Sequence, residues 1–272
     1  MKLWVLGSGS KGNAVLLECG QSRVLVDAGF PIRDLAGRLA AAGVAPQSVE
    51  GVVITHEHTD HVKGACAAAK RWGWSLYATE GTARGFPLLV GADVATFEPG
   101  ATLSVGHFEL RTVPTLHDAE EPVAVVATSK VTGARAGICY DLGCITDPVR
   151  AAFRDLDVLV LEANHDEGML RAGPYPPSVC SRIASRHGHL SNRAAAAMAR
   201  DTAHTHLNHV VLAHLSEACN DQRVAAATVA EGLARTRFSG LVSVAPQHAV
   251  AGPFVPRLGR RRAASEQLAL GI

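Results

Sequence analysis

Four residues able to bind metals or carry protons stand within six positions of this sequence: His56, His58, Asp60 and His61, in the run Thr55-His-Glu-His-Thr-Asp-His61. Imidazole and carboxylate at that density suit zinc, iron or manganese. A strand would alternate these side chains and a helix would spread them, so the spacing predicts a loop that turns all four toward one point. Four groups are too many for one tetrahedral site. Two divalent ions about 3.5–4 Å apart are the usual way to hold a bridging water for hydrolysis, because they lower its pKa and offset developing charge. Two ions need further ligands, and His117, Asp141 and His214 each stand where an apolar run gives way to polar residues. An exposed, metal-free polar loop is the alternative, and the spacing argues against it.

Strands must deliver these groups. The apolar run Gly51-Val-Val-Ile-Thr55 ends in the histidine cluster, so a buried strand carries it. Residues 2–6, 14–18 and 24–27 read as an opening β-meander, separated by the glycine-bearing segments Gly7-Ser-Gly-Ser-Lys-Gly-Asn13 and Gly20-Gln-Ser22. Helical patterns cover 32–42 and 62–71, and strands are expected at 75–78, 108–113, 123–128 and 134–140. Residues 157–162 and 210–213 are short continuous apolar runs of the kind that strands buried on both faces give. Helices at 177–186, 192–204 and 221–236 alternate with them.

With 272 residues, 47% of them apolar, the chain is long enough for one compact α/β unit, placed here at residues 1–256. A formal net charge of +1 steers it toward no polyanion as a whole, so any nucleic-acid site must be local. The six cysteines are scattered, with no CxxC pair, which argues against a disulfide framework or a zinc knuckle. The opening apolar run is too short for a signal peptide or membrane span, which predicts a cytoplasmic protein. Residues 257–272 turn charged and small and read as a disordered or peripheral tail. The basic run Arg260-Arg-Arg262 in that tail could engage nucleic-acid phosphates.

Val24-Leu-Val-Asp-Ala-Gly29, the HxHxDH run, His117, Asp141 and His214 resemble the ordered motifs of the metallo-β-lactamase superfamily across nearly the whole chain. Gly7 to Asn13, Glu162-Ala-Asn-His165, Gly188-His-Leu-Ser-Asn192 and Ala213-His-Leu-Ser216 are similar to its YycJ/WalJ-type subfamily of nuclease-like phosphodiesterases. The resemblance implies an αββα sandwich of two mixed sheets flanked by helices. It further implies His56, His58 and His117 on one metal, Asp60, His61 and His214 on the other, Asp141 bridging them, and Asp27 bracing the loop. Zinc-type β-lactamases often carry Cys where Asp141 stands, which points away from antibiotic hydrolysis. The implied activity is a DNA exonuclease. A small-molecule phosphodiesterase and a glyoxalase II-like thioester hydrolase share the ligand set and remain the rivals. A binding protein on a dead hydrolase scaffold would have lost ligands, and none is lost here.

Asp60 and His189 are the residues expected to act in the chemical step. His189 suits protonation of a leaving group, competes with His214 as a ligand, and could instead pack or cap a helix. Asn164 and His165 follow a strand end and could touch substrate or orient the ligands. Ser191 is placed either at substrate or at a helix N-terminus. Ser10 and Asn13 lie in a segment that resembles a phosphate cradle but lacks the GK[ST] ending, so a hairpin turn near the site is the stronger reading. His204, His206 and His209 fall where a helix should end and are read as surface. Gln267-Leu-Ala-Leu270 looks like the start of a sliding-clamp docking peptide without its final aromatic.

Overall fold

The computed structural model describes residues 1–257. Six strands open the fold: β1 (Lys2–Gly7), β2 (Ala14–Cys19), β3 (Ser22–Val26), β4 (Gly51–Val53), β5 (Ser75–Thr79) and β6 (Val94–Phe97). Seven follow: β7 (Thr102–Val105), β8 (Phe108–Pro114), β9 (Val123–Ser129), β10 (Arg135–Cys139), β11 (Val158–Glu162), β12 (His209–Ala213) and β13 (Leu241–Val244). The chain then returns as β14 (Ala251–Phe254) to the first sheet, whose order is β14-β1-β2-β3-β4-β5-β6; the second runs β13-β12-β11-β10-β9-β8-β7. Both sheets are mixed: β3 to β6 and β10 to β13 pair in parallel, and the rest antiparallel.

The period of two along the strands explains the sandwich. On β11, Val158 and Val160 enter the core between the sheets, while Leu159 and Leu161 pack on the outer helices. On β2, Val15 and Leu17 face the other sheet and Leu16 faces the helices of its own side. Both faces are thus covered, which is why these strands read as continuous apolar runs. The covering helices are α1 (Ile32–Ala41), α2 (Thr59–Val62), α3 (Ala65–Trp72) and α4 (Glu80–Gly85) beside the first sheet's segments. Those following the second sheet's strands are α5 (Asp147–Ala152), α6 (Glu167–Ala172), α7 (Pro177–Ile183), α8 (Asn192–Thr202) and α9 (Gln222–Leu233). Two mixed sheets flanked by helices are the expected αββα arrangement. No helix among the described residues is long and apolar enough to cross a membrane.

Several expectations need correction. The helix expected at 62–71 is two, α2 and α3, broken at Lys63 and Gly64, and α2 starts early enough to take in Asp60 and His61. Only His56 and His58 therefore lie on a loop. Gly64 carries the break because its neighbour is backbone: a Cβ there would overlap the carbonyl of Phe30. Short elements that periodicity missed are α4, α5, α6, β6, β7 and β14. At the tail, the amide of Arg257 donates to Asn208 Oδ1 at 2.6 Å, so this residue is tied to the domain. The remaining tail, with the basic run and Gln267 to Leu270, lies outside the described residues.

The segments just before β2 and just after β3 are woven into the histidine segment. Asn13 N donates to Asp60 O at 2.7 Å, Ala28 N to His61 O at 2.8 Å and Gly29 N to Asn13 O at 3.0 Å. A Cβ on Gly29 would overlap the Asp60 carbonyl. Gly29→Ala should therefore destabilise the fold by about 1–3 kcal/mol, as overpacking against backbone does. Gly37→Ala, on an exposed turn of α1 with open space around it, should stabilise by roughly 0.5–1 kcal/mol. Urea denaturation of both variants checks the contrast; equal effects would contradict it.

Candidate metal centre

Strand ends supply the site. Asp27 follows β3, His56 to His61 follow β4, His117 follows β8, Asp141 follows β10, Glu162 ends β11 and His214 follows β12. Ligands gather outside the carboxyl ends of such parallel strands because the side chains there are aimed out of the sheet yet held by it. Three of the residues, Asp27, Asp141 and His214, have φ of 62°, 54° and 53°. A left-handed backbone at a residue other than glycine costs on the order of 1–3 kcal/mol, and here it turns each side chain sharply off its strand.

Asp27 is wholly buried and holds the histidine segment from beneath. Its Oδ1 accepts from Thr55 N at 2.7 Å, and its Oδ2 accepts from Thr55 Oγ1 and His61 Nδ1, both at 2.8 Å. Thr55 Oγ1 in turn accepts from His56 Nδ1 at 3.0 Å. His58 Nε2 donates to Asp118 O at 3.2 Å, His117 Nδ1 to Gly188 O at 3.0 Å, and His214 Nδ1 to Glu162 Oε1 at 3.1 Å. Each of the five rings thus has one nitrogen committed as a donor, which leaves the other to offer its lone pair whenever it is unprotonated.

Those lone pairs converge. His58 Nδ1 and His117 Nε2 face each other at 3.3 Å, two acceptors with no proton between them. Nitrogens each about 2.1 Å from one tetrahedral ion stand roughly 3.4 Å apart, so the spacing fits a shared metal. His56 Nε2, His214 Nε2 and Asp141 Oδ2 are buried with no hydrogen-bond partner. Asp141 Oδ2 lies 3.8 Å from His56 Nε2 and 2.6 Å from His61 Nε2, the latter a close contact without hydrogen-bond geometry. Ligand atoms of His56, His58 and His117 lie within 4.8 Å of one another, as do those of Asp60, His61 and His214, and those of His56, His61 and Asp141. The residues present fit a metal, and Asp141 shares a group with one member of each triad.

The charges balance among themselves. Burial would raise the Asp141 carboxyl, but His214 and His61 outweigh it and hold the group well below the usual carboxylate range. Asp60 is lowered in the same way, chiefly by His61. His61 and His214 are pushed well above the ordinary imidazole value against the effect of burial, each mainly by Asp141. His56 goes the other way, held neutral by burial and by its neighbour His61. His117 is lowered chiefly by burial.

Glu162 and Asp118 escaped the sequence reading as site residues. Glu162 is wholly buried; Oε1 accepts from His189 Nδ1 at 2.8 Å as well as from His214, and Oε2 accepts from the amides of Leu142 and Leu190. An acid that ends an apolar strand was the signal, because a buried charge needs partners. Asp118 carries His58 on its carbonyl and places a carboxylate oxygen 3.1 Å from His117 Nε2.

His189 joins the centre, with Nδ1 2.8 Å from Glu162 and 3.2 Å from Asp141, while 24% of its side chain stays exposed. Ser191 caps α8, accepting from Ala194 N at 3.3 Å, so its hydroxyl is spent on the helix. Asn13 is wholly buried, with Nδ2 3.2 Å from Asp60 Oδ2 and 3.0 Å from His61 Nε2; it lies under the cluster and not on a substrate surface. Ser10 is exposed in the turn between β1 and β2. Asn164 Nδ2 donates to His214 O at 2.9 Å, and His165 is buried beside it. His209 starts β12, the strand whose far end precedes His214, and His204 and His206 lie just before it, away from the centre.

Asp27→Asn would turn an amide N–H toward His61 and lose a bracing acceptor. Metal affinity should fall about 10–100-fold, as when such supporting groups are removed elsewhere, with the fold retained; titration with zinc or manganese reads it. Metal uptake should also release protons, because His61 and His214 hold them in the metal-free chain, and affinity should fall as pH is lowered. Calorimetry in buffers of different ionisation enthalpy measures the release, and none would contradict the donor assignment.

Residues 22–215 match the family described as the β-lactamase superfamily domain. The chain is 31% identical over 239 residues to a Bacillus anthracis protein named exodeoxyribonuclease YycJ, covering 86% of this chain and 89% of that protein. It is 31% identical over 242 residues to a Streptococcus pneumoniae protein named exodeoxyribonuclease WalJ, covering 86% and 88%. Among solved structures, the metallo-β-lactamase fold protein YhfI from Bacillus subtilis superposes with a TM-score of 0.70 at 18% identity, covering 92% of this chain and 98% of that one. Zn(2+)-bound PqqB from Methylobacterium extorquens does so at 0.67 and 16%, covering 93% and 100%. With the sandwich and the converging donors, these matches place the chain in the β-lactamase superfamily, among the metal-dependent hydrolases of the metallo-β-lactamase fold.

Proposed function

We propose that the chain is a dinuclear-metal-dependent phosphodiesterase that shortens DNA from an end. The observation that carries the metal reading is the set of buried, partnerless donor atoms on His56, His214 and Asp141, beside the facing nitrogens of His58 and His117. His56, His58 and His117 would hold one ion, Asp60, His61 and His214 the other, with Asp141 between them. Two such ions would supply an activated water and positive charge against the oxygens of a phosphodiester. Asp60, whose side chain is 24% exposed, is a ligand-set carboxylate that water reaches, so it would orient the attacking molecule. His189 would donate a proton from its exposed Nε2 to the leaving oxygen, because Glu162 holds its Nδ1. In the metal-free chain Glu162 and Asp141 push this imidazole up to about 9 against burial.

The nucleic-acid substrate is supported by the two exodeoxyribonuclease-named relatives and by the rim. Arg171, Arg182 and Arg186 are exposed on the segment that ends in His189. Arg182 is held by Asp118, with Nη2 2.7 Å from its carboxylate, so the residue that fixes His58 also fixes a cation for a phosphate backbone. The same chemistry would serve a small phosphodiester, and the assay below separates the two.

The manganese- or zinc-loaded protein should shorten DNA stepwise and also turn over bis-p-nitrophenyl phosphate. His58→Ala should lose more than about a hundredfold of both, since it removes a ligand and not merely its support. Chelation should abolish both and lower the melting temperature, and readdition of metal should restore both. Turnover of a thioester alone would overturn the reading, and turnover of only the small diester would move the substrate to a metabolite.

A further inference from the structure

One side of His189 belongs to the metal centre, and the ring also borders a cavity that the chemistry above does not use. The cavity measures about 680 Å³ and lies between the segment after β10, helices α6 and α7, and the first turns of α8. Its floor is apolar, formed by Leu170, Leu190 and Met198, each no more than 4% exposed. Ala194 and Ala197 stand one helical turn apart on α8 and line it, and their small side chains leave the space open.

The walls carry Arg150, Arg171, Glu167 and Ser181, and one further polar group lies deeper, beside the apolar floor. His165 is 2% exposed, lines the cavity, and its Nδ1 is buried with no hydrogen-bond partner. An imidazole nitrogen desolvated and unpaired is costly in any folded protein, and a ligand that bonds to it removes the cost. Glu167 Oε1 and Ser191 Oγ, bonded at 3.1 Å, mark a second polar edge, already satisfied internally.

A cavity of this size with an apolar floor and polar walls fits a flat heterocycle that has apolar faces and a polar rim. The location selects which one. His189 borders the cavity and lies 3.2 Å from Asp141, so whatever fills the space is next to the reacting phosphorus of the proposed substrate. A volume of about 680 Å³ suits one nucleoside, at the end of a strand or turned out of it, and not a longer stretch.

We propose that this cavity receives the terminal nucleoside of the strand being cut, its base on the floor of Leu190 and Met198 and its polar edge bonded to His165 Nδ1. The inference rests on the phosphodiesterase reading and adds the feature that starts cleavage at an end. His165 is then a positioning and recognition residue, and it takes no part in the proton transfer.

Ala194→Phe and Ala197→Phe fill the space from the helix side without altering a proposed ligand, and His165→Ala removes the polar contact without filling it. Three measurements on the metal-loaded protein read the outcome: turnover of bis-p-nitrophenyl phosphate, shortening of single-stranded DNA, and equilibrium binding of deoxyadenosine and thymidine 5′-monophosphates. The filled variants should keep small-diester turnover within about twofold of the parent, and lose tenfold or more in both DNA shortening and nucleotide binding. His165→Ala should weaken nucleotide binding tenfold or more. Parent-like nucleotide binding in both filled variants would overturn the proposal, as would a parent that binds no mononucleotide at millimolar concentration. A parent that cleaves neither DNA nor the small diester defeats the phosphodiesterase reading instead, and nucleotide binding still decides whether the cavity takes a nucleoside.

Discussion

Histidine offers a metal one nitrogen at a time, and the choice of nitrogen is made by whatever holds the other. At this centre every choice is made in advance. Asp27 accepts from His61 directly and fixes His56 through Thr55; carbonyls of Asp118 and Gly188 fix His58 and His117; Glu162 fixes His214 and His189. Two of these holders are carboxylates with no exposure at all, which a protein tolerates only when each oxygen is bonded. The rest of the architecture can be read as the means of burying Asp27 and Glu162 at matching ends of two sheets.

The sandwich does this by direction. Because β8 and β10 both pair antiparallel with β9, they run the same way, and β11 and β12 continue in parallel. Their carboxyl ends therefore share one edge, where His117, Asp141, Glu162 and His214 emerge. The first sheet brings Asp27 and the HxHxDH segment to the same edge from β3 and β4, which are parallel to each other. Left-handed turns at Asp27, Asp141 and His214 then redirect side chains that strands alone would point up or down the sheet.

Much of this was legible in the sequence. The density of HxHxDH, and the polar residues that stop apolar runs at 117, 141 and 214, identify the donors because so few other arrangements justify them. The long buried strands were legible for the same reason. Short elements were not: α6 has six residues, too few to show a period, and β6 is an edge strand with Ala95 and Thr96 exposed, so it lacks the apolar signal of a buried strand. The α2 helix hid because two of the converging donors, Asp60 and His61, sit in its single turn, where spacing suggested a loop. Glu162's part depends on β11 lying between β10 and β12, which is a matter of strand order and leaves no local trace.

The donors are shared between distant parts of the chain. One donor segment lies at residues 56–61 and another donor at 214, and the first sheet is completed only when β14 pairs with β1. During synthesis the early histidines emerge long before Asp141 and His214. The donor set is thus complete only once His214 has been made, so a product cut short before it carries the most recognisable motif of the family without the groups that finish the centre.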